Sequence, residues 1–371
     1  MIRLVPTTPL TPSYDPWEPL FKAKPPQYKL TSIEFTVTNQ CNLRCEHCAV
    51  GDTLSFQDGL ALPMDLLLKR LDEARDLLTI SITGGEPMFS ERTVKEAIAP
   101  LLRYASERGL RTQINSNMTM PFSRYEEVLP YIDVMHISMN WRNAEEFYNI
   151  VYAKAQQTVS LKQAETLFGN MLENTRKLVE AGVFVSAETM INIRTHKHLK
   201  EIHDLIRELG CKRHEVHPMY ASDFARDMKL LSLDELRTAV HHMLDVRDEE
   251  LWMLFGTLPF YACNPLPEDQ AIIKRLREAK NVTLRNDPDG RNRLNVNMFT
   301  GEVIVTDFGD VAPIGNVKDH RLDDLHATWQ QSDLCNKLNC YCPSAGCAGP
   351  NVLVANTYYS DTNFKLRSAL I

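Results

Sequence analysis

The number and spacing of the cysteines indicate chemistry more clearly than any other feature of this sequence. The chain has nine of them, and six stand in two tight groups. The groups and the isolated cysteines are Cys41, Cys45 and Cys48; Cys340, Cys342 and Cys347; and, apart from these, Cys211, Cys263 and Cys335. Clustered thiols in a reducing compartment predict metal ligands before disulfides.

The first group follows a β-rich run at residues 33–38, so its three thiols come from one loop at the end of a strand. Three thiolates on a [4Fe–4S] cluster leave one iron open to an exogenous chelate, whereas four ligands suit electron transfer alone. A zinc site in which His47 joins the three cysteines is the alternative, because Cys₃His is a common zinc set. The triad by itself leaves both interpretations open.

A second motif, Gly84-Gly85-Glu86-Pro87, ends the next β-rich run at residues 79–83. Paired glycines allow backbone to approach a ligand closely, and the proline ends the turn. A Gly-Gly pair alone is usually only a strand-to-helix turn. Its place one strand after a CxxxCxxC loop makes it informative.

Together the two motifs resemble the radical S-adenosylmethionine (SAM) superfamily. The resemblance implies that Cys41, Cys45 and Cys48 hold the catalytic cluster, that the glycine turn binds the methionine amino group, and that the backbone of His47 lies near the adenine. It also implies a reaction in which the reduced cluster passes one electron to SAM. Methionine is released, and a 5′-deoxyadenosyl radical takes a hydrogen atom from the substrate. A flavodoxin or ferredoxin is the expected one-electron reductant.

Six strand-helix units must position these motifs, and they predict an α/β fold in which a parallel sheet forms a partial (β/α)6 TIM-like barrel. The six β-rich runs are residues 33–38, 79–83, 111–115, 132–139, 183–193 and 213–219. One face of these strands is polar, although a parallel barrel is usually apolar on both faces. The pattern favours a polar barrel interior built to hold a polar ligand over an antiparallel sheet with one wet face.

Further ligand contacts are expected from this polar face and from the strand ends. Ser138-Met139-Asn140 resembles the superfamily segment that contacts the nucleoside, with Asn in place of Asp, and Asn117 ends a segment that is commonly Thr-Asn-Gly. Glu215 and Asn192 are further interior candidates, for which a structural role is equally open. The expected cofactor-binding residues are His47, Gly84, Gly85, Glu86, Asn117, Ser138, Asn140, Glu188, His217 and Met219.

The carboxyl-terminal cysteines indicate a second metal centre, with a zinc knuckle as the alternative. A hairpin turn at Thr300-Gly301, a helical segment at residues 322–325 and Trp329 precede them and resemble the auxiliary-cluster extensions called SPASM or twitch domains. The cysteine usual after that hairpin is missing, with Thr306-Asp307 in its place. One auxiliary [4Fe–4S] cluster is therefore expected.

Cys340, Cys342 and Cys347 are the expected ligands of this second cluster, with Cys263 as the fourth. Cys335 and an open site are the rivals. Cys335 follows a segment, residues 325–334, that is predicted to be helical, so its thiol is expected to point along the helix. The CxCxxxxC spacing and the layout from Tyr14-Asp15-Pro16-Trp17 to Gly349-Pro350-Asn351 resemble the YfkAB radical SAM family of bacteria, whose substrate is not established.

Composition limits the remaining possibilities. The chain has 371 residues, of which 44% are hydrophobic and 24% charged, and a formal net charge of -7. It has no apolar run long enough to span a membrane and no signal sequence, so a cytoplasmic enzyme is expected. The predicted organisation is an amino-terminal arm (residues 1–30), the barrel (31–230), and a helical linker with the auxiliary-cluster domain (231–371).

The substrate stays open among a peptide, a nucleotide or RNA, and a small metabolite. Only about 30 residues precede the barrel, which speaks against a leader-binding domain for a peptide. The acidic net charge speaks against RNA. A non-catalytic iron–sulfur redox sensor is the competing class, but a sensor needs neither the glycine turn nor a polar barrel interior.

Overall fold

The fold is given by a computed structural model, which describes residues 9–22, 27–286, 289–306, 311–338 and 349–368. The strands in these ranges are β1 (Ser32–Thr36), β2 (Thr79–Thr83), β3 (Arg111–Ser116), β4 (Val134–Ser138), β5 (Phe184–Ile191), β6 (Arg213–Pro218), β7 (Trp252–Gly256), β8 (Val282–Arg285), β9 (Arg293–Asn297), β10 (Glu302–Ile304) and β11 (Gly315–Asn316).

Helices alternate with these strands. They are α1 (Glu18–Lys22), α2 (Met64–Glu73), α3 (Glu91–Thr93), α4 (Ala99–Glu107), α5 (Phe122–Glu126), α6 (Ala144–Val151), α7 (Leu161–Glu180), α8 (Leu199–Glu208), α9 (Leu233–Val246), α10 (Pro267–Glu278), α11 (Leu322–Gln330), α12 (Asp333–Leu338), α13 (Val352–Tyr358) and α14 (Phe364–Ser368). α7 and α9 each begin with a capping box, in which a serine and the Gln or Glu three residues later satisfy the first free N–H groups.

The strands of the described ranges form one sheet, in the order β11-β10-β9-β1-β2-β3-β4-β5-β6-β7-β8. β1 to β8 run parallel, β9 pairs parallel with β1, and β10 pairs antiparallel with both β9 and β11. A helix connects each successive pair from β1 to β8, as parallel strands require. The predicted α/β class with a parallel, TIM-like partial barrel is confirmed, and β1 to β6 match the six predicted runs.

β7 and β8 extend the sheet beyond the six predicted units. Their pairing continues the parallel series, and they bring Gly256 and Arg285 to the barrel interior. The predicted hairpin is present as β9 and β10, with Gly301 in the left-handed conformation at φ 81°.

Alternation along the strands separates the core from the barrel interior. The outward side chains, such as Ile80, Ile82 and Ile114, are completely buried against the helices. The inward ones, such as Ser81 and Gln113, are half-buried and border a cavity. Because side chains of a strand alternate between its faces, these strands give the barrel a polar interior and pack an apolar core between the sheet and the helices.

The amino-terminal arm lies beneath the amino ends of the strands. The Trp17 indole N–H donates to the hydroxyl of Ser32 at the start of β1 (3.1 Å), and Arg213 at the start of β6 donates to the carbonyl of Tyr14 (2.7 Å). Tyr14, Pro16 and Trp17 all line the cavity. The arm is therefore the floor of the barrel.

One helix prediction was wrong. Residues 325–334 do not form a continuous helix, because the chain turns at Gln331 and Ser332 between α11 and α12. The Ser332 hydroxyl then accepts a hydrogen bond from the Cys335 N–H (3.1 Å), which places Cys335 inside the new helix. None of the helices in the described ranges is long and apolar enough to cross a membrane.

Candidate active site

A single cavity of about 440 Å³ runs from the floor of the barrel to its mouth at the carboxyl ends of the strands. The cysteine loop, the glycine turn and the polar strand faces all contribute to its lining. The expected ligand contacts that line it are His47, Gly84, Gly85, Glu86, Asn117, Ser138, Asn140, Glu188, His217 and Met219. Sequence motifs far apart in the chain thus meet around one space.

Cys41, Cys45 and Cys48 stand at the mouth as free thiols. Burial raises the pKa of Cys41 to about 12 and that of Cys48 to about 11, and it holds the pKa of Cys45 well above its ordinary value. The charges of Cys48 and Cys41 add to the shift at Cys45, so the thiols are close enough to influence one another. Thiols with such pKa values are protonated until a metal displaces the protons.

The residues fit a cluster with one open iron. The fit rests on the donor set, three free thiols of one loop at the mouth of the cavity. No group of three or more His, Cys, Asp or Glu side chains within the described ranges is arranged to hold a metal ion as it stands. The His47 ring, buried at 8% exposure, has Nε2 3.5 Å from the Asn140 amide nitrogen at the end of β4. It faces the nucleoside-binding segment expected from the sequence. This placement favours a three-thiol set over Cys₃His.

The loop that carries the triad is anchored through its main chain. The Arg44 guanidinium donates to the carbonyls of Cys41 (2.8 Å) and Leu43 (2.7 Å). Glu46, between the second and third cysteines, pairs with Arg194 after β5 (2.8 Å). These contacts hold the loop over the mouth without using the thiols.

The glycines of the Gly84-Gly85 turn are required by the cysteine loop. The Gly85 N–H donates to the Thr38 carbonyl (2.8 Å) and the Glu86 N–H to the Gln40 carbonyl (2.7 Å). A Cβ on Gly84 would lie 2.3 Å from the Thr38 oxygen, and one on Gly85 would lie 2.2 Å from the Gln40 oxygen. The sequence predicted that these glycines allow the backbone to approach a ligand closely. In the structure they also allow the turn to approach the cysteine loop closely.

The Glu86 side chain braces the turn. It is buried at 1% exposure and accepts hydrogen bonds from the Met88 N–H (3.0 Å), the Ser116 hydroxyl (2.8 Å) and the Asn117 N–H (2.7 Å). Burial raises the pKa of this carboxyl to about 7 despite these bonds. The side chain is engaged internally, as are the Glu86 N–H, which is bonded to Gln40, and its carbonyl, which accepts from the Phe89 N–H (2.9 Å). The ligand-binding role of Glu86 stays a prediction.

Asn117 and Asn140 join the strand ends to the cysteine loop. The Asn117 amide donates to the Asn42 side chain (3.0 Å), and the Asn140 side chain accepts from the Met190 N–H (2.7 Å). Ser138, two residues before Asn140, lines the cavity half-buried. These residues are placed at the mouth beside His47, where a nucleoside contact was predicted.

Asn192 does not belong to the cavity, in contrast to its prediction as an interior candidate. Its side-chain oxygen accepts from the N–H groups of Arg194 (2.8 Å) and Thr195 (3.2 Å), which closes a tight turn after β5. The strand ends at Ile191, so the period-two alternation no longer governs the next residue.

Glu215 is the buried centre of the charges inside the barrel. Burial alone would raise the pKa of its carboxyl, but Arg213 (2.6 Å) and neighbouring cations hold it well below the ordinary value. Burial lowers the pKa of His217, yet the carboxylates of Glu188 and Glu215 raise it above the usual value. The interior is therefore a connected ionic network rather than a set of isolated polar groups.

Several cavity residues were not predicted as site residues. Tyr14 and Trp17 belong to the amino-terminal arm, which is distant in sequence from the later strands of the barrel. Arg285 lies on β8, a strand that was not predicted. Trp141, next to Asn140, lines the cavity, and its buried indole nitrogen has no hydrogen-bond partner within the part of the chain that the structure describes. Only Trp141 carried a local signal, as an aromatic residue directly after a strand-end motif.

The predicted auxiliary ligands Cys340, Cys342 and Cys347 lie outside the described residues. Cys263 is half-buried and packs against a hydrophobic cluster that includes Tyr220, Tyr261 and Leu353. Cys335 is buried at 2% exposure in the main core, with its thiol 3.6 Å from the Gln330 side-chain oxygen. Cys211 is buried in the same core, as expected for a small hydrophobic residue.

Two family models match the chain: the radical SAM superfamily over residues 35–209 and the YfkB-like domain over residues 219–369. The putative protein YfkA of Bacillus subtilis (strain 168) is 56% identical over 365 residues, which are 97% of this chain and 97% of that protein. The chain belongs to the YfkAB-like radical SAM family. This YfkAB-like protein is therefore a radical SAM enzyme, with SAM and a [4Fe–4S] cluster as the cofactors of its superfamily.

More distant relatives share part of the YfkAB-like chain. GTP 3′,8-cyclase of Helicobacter pylori (strain HPAG1) is 27% identical over 162 residues, which are 43% of this chain and 46% of that protein. Native anSMEcpe with bound AdoMet has a TM-score of 0.60 at 13% identity and covers 92% of this chain and 95% of its own. SuiB of Streptococcus suis bound to SAM has a TM-score of 0.57 at 16% identity and covers 86% and 71%. At these identities the structures share the fold alone.

Proposed function

We propose that this radical SAM enzyme binds its cluster through Cys41, Cys45 and Cys48 and cleaves SAM reductively. When bound, the reduced cluster supplies one electron that cleaves SAM to methionine and a 5′-deoxyadenosyl radical, which abstracts hydrogen from the substrate. The observation that carries the proposal is the convergence of three free thiols and the glycine turn at the mouth of one polar cavity.

The protein's own residues orient the cofactor and exclude water. Main-chain groups of Gly84 and Gly85 border the mouth, while His47 and Asn140 form its wall. The floor and the helices shield the interior from solvent, which limits side reactions of a radical. The rest of the expected contact set, Asn117, Ser138, Glu188, His217 and Met219, lines the same space.

The decisive assay uses anaerobically reconstituted protein, SAM and dithionite, with 5′-deoxyadenosine measured by mass spectrometry. We expect formation of 5′-deoxyadenosine and methionine in equal amounts. Protein that carries a full cluster but produces no 5′-deoxyadenosine would contradict the proposal. A flavodoxin or ferredoxin is proposed to replace dithionite in the cell, and the free thiols support a cytoplasmic location.

We also propose one auxiliary [4Fe–4S] cluster held by Cys340, Cys342 and Cys347, with Cys263 as the fourth ligand. The packing of Cys263 supports this choice, because its hydrophobic cluster includes Leu353 and Val354, shortly after the second cysteine group in the sequence. Cys335 instead lies in the main core, with its thiol against Gln330.

Separate Cys263→Ala and Cys335→Ala variants test the ligand set by iron content and the EPR signal of the auxiliary cluster. We expect loss of that signal in Cys263→Ala and its retention in Cys335→Ala. The reverse result would identify Cys335 as the ligand. Retention in both variants would indicate a three-thiol cluster with an open iron.

A further inference from the structure

The lower half of the barrel cavity, between the floor and the cysteine loop, has a chemistry of its own. We propose that this lower chamber is the substrate site and takes a small molecule bearing a protonated nitrogen, not a phosphorylated compound or a polymer. The inference rests on the proposed function, since it assumes that SAM is bound at the mouth. It follows from the shape, the charge balance and the unpaired polar atoms of the chamber.

The chamber is closed at its lower end. Tyr14, Pro16 and Trp17 line it from below, and two hydrogen bonds fix them to Ser32 and Arg213 at the strand starts. The whole cavity, cofactor space included, holds about 440 Å³. A substrate must therefore enter from the mouth and end inside the barrel, which suits a small molecule better than a continuous chain.

The guanidinium groups of the chamber already have carboxylate partners. Arg213 lies 2.6 Å from Glu215, and Arg111 lies 2.9 Å from Asp133. The remaining two are paired in the same way: Arg285 with Glu215 (3.7 Å) and Asp15 (3.8 Å), and Arg293 with Glu34 (3.7 Å). A phosphate would have to displace one of these carboxylates, so the chamber is poorly suited to a nucleotide.

Glu188, level with Ser138 at the top of the chamber, is a carboxylate that this pairing leaves without a guanidinium partner. Among the described residues its charged neighbours are two imidazoles, with Nε2 of His136 at 3.7 Å and Nε2 of His217 at 3.9 Å, and no Lys or Arg lies within 4.0 Å. Its side chain is 31% exposed to the cavity. A cationic nitrogen is the partner that a carboxylate in such a site would bind most strongly.

On β2 and β4, two polar atoms of the chamber have no hydrogen-bond partner among the described residues. They are Nε2 of His136 and the hydroxyl of Ser81, both buried and both on residues that line the cavity. The His136 nitrogen lies 3.6 Å from Glu215, which is within reach of charge but too long for a hydrogen bond. Buried polar atoms are normally paired. Nε2 of His136 lies 3.7 Å from Glu188, and Ser81 lines the same cavity, so a polar ligand in the chamber would complete both atoms.

The test measures how fast the reconstituted enzyme forms 5′-deoxyadenosine when fractions of a cell extract are added. Three of the fractions contain low-mass compounds, and one contains macromolecules. The low-mass fractions are those retained by cation exchange, retained by anion exchange, and unretained. For each protein the stimulated rate is divided by its own rate without extract, which removes any effect on SAM binding. Glu188→Gln, His136→Gln and Ser81→Ala are compared with Glu208→Gln, a control on the exposed surface of α8.

We expect the cation-exchange fraction alone to stimulate the wild type. The ratio should fall about tenfold or more in Glu188→Gln, the loss expected for one charge-assisted hydrogen bond, and less in His136→Gln and Ser81→Ala. The Glu208→Gln control should keep the wild-type ratio.

Several results would overturn the inference. Stimulation by the anionic, unretained or macromolecular fraction would do so, and so would the absence of stimulation by every fraction. A Glu188→Gln variant whose rates with and without extract fall by the same factor would also overturn it. The last result would assign Glu188 to the cofactor instead. If no 5′-deoxyadenosine forms under any condition, the proposed function fails first, and the two failures are thereby distinguished.

Discussion

Replacement of Gly85 by alanine tests how the glycine turn and the cysteine loop depend on each other. The new Cβ would stand 2.2 Å from the Gln40 carbonyl oxygen and 2.7 Å from its carbon. Backbone on both sides must move apart by roughly 1 Å to restore an ordinary contact. That movement stretches the hydrogen bonds from Gly85 to Thr38 and from Glu86 to Gln40.

The expected cost follows from these two effects. Overpacking costs about 1–3 kcal/mol, and weakening two main-chain hydrogen bonds adds about 1 kcal/mol, so we expect a loss of about 3 kcal/mol. With an unfolding entropy of about 2.1 cal/mol/K per residue over 371 residues, Tm should fall by about 4 °C. The displaced turn should also weaken SAM binding, and Gly85→Val should weaken it further.

Thermal unfolding, iron content and SAM titration of the reconstituted variant measure these effects. Gly169→Ala is the matched control, because Gly169 lies in α7, where an added Cβ would meet only open space, and the substitution should gain about 0.5–1 kcal/mol. A Gly85→Ala protein with the wild-type Tm and SAM affinity would refute the contact between turn and loop.

Three further predictions concern other parts of the molecule. Cys45→Ala should abolish SAM cleavage while the iron of the auxiliary cluster remains, and undiminished 5′-deoxyadenosine formation would contradict the ligand assignment. Arg213→Met should lower the free energy of unfolding, measured in urea, by about 3–5 kcal/mol, because it leaves the Glu215 carboxylate buried without its nearest cation. A decrease below about 1 kcal/mol would argue against the ionic network. Burial lowers the pKa of His203 to about 4 and the pKa of its hydrogen-bonded neighbour His214 well below 6.5. Between about pH 6.5 and about pH 4 the unfolded chain therefore binds more protons than the folded chain. The free energy of unfolding should therefore fall as the pH falls through this window, by about 1 kcal/mol per histidine at about pH 5.5. In His203→Gln the midpoint of urea unfolding should depend less on pH. An equal pH dependence in the variant and the wild type would contradict this.

Local patterns in the sequence predicted the features that depend on local order. Period-two alternation predicted one polar strand face, and Ser81 and His136 lie on that face in the structure. The triad and the glycine turn follow strands β1 and β2, as their positions in the sequence indicated. Alternation does not tell where a strand stops, so Asn192 was assigned to the interior although it closes a turn.

Contacts between distant segments could not be predicted in this way. The pairing of Tyr14 with Arg213 joins residues 199 positions apart, and no pattern around Tyr14 announces it. Glu86 was expected to face a ligand because it belongs to a binding motif. Its burial depends on Ser116 and Asn117, which approach only after β3 has paired with β2.

The floor of the barrel also sets an order of events during synthesis. Tyr14 and Trp17 leave the ribosome first, but Arg213 and Arg285, which hold them in place, follow about 200 and 270 residues later. At about 5–20 residues per second, the arm waits roughly 15 to 50 seconds before Arg285 has been made. During that interval the arm lacks these two partners, and the strands that carry them have not yet joined the sheet. The chamber is therefore assembled last from the part of the chain that was made first.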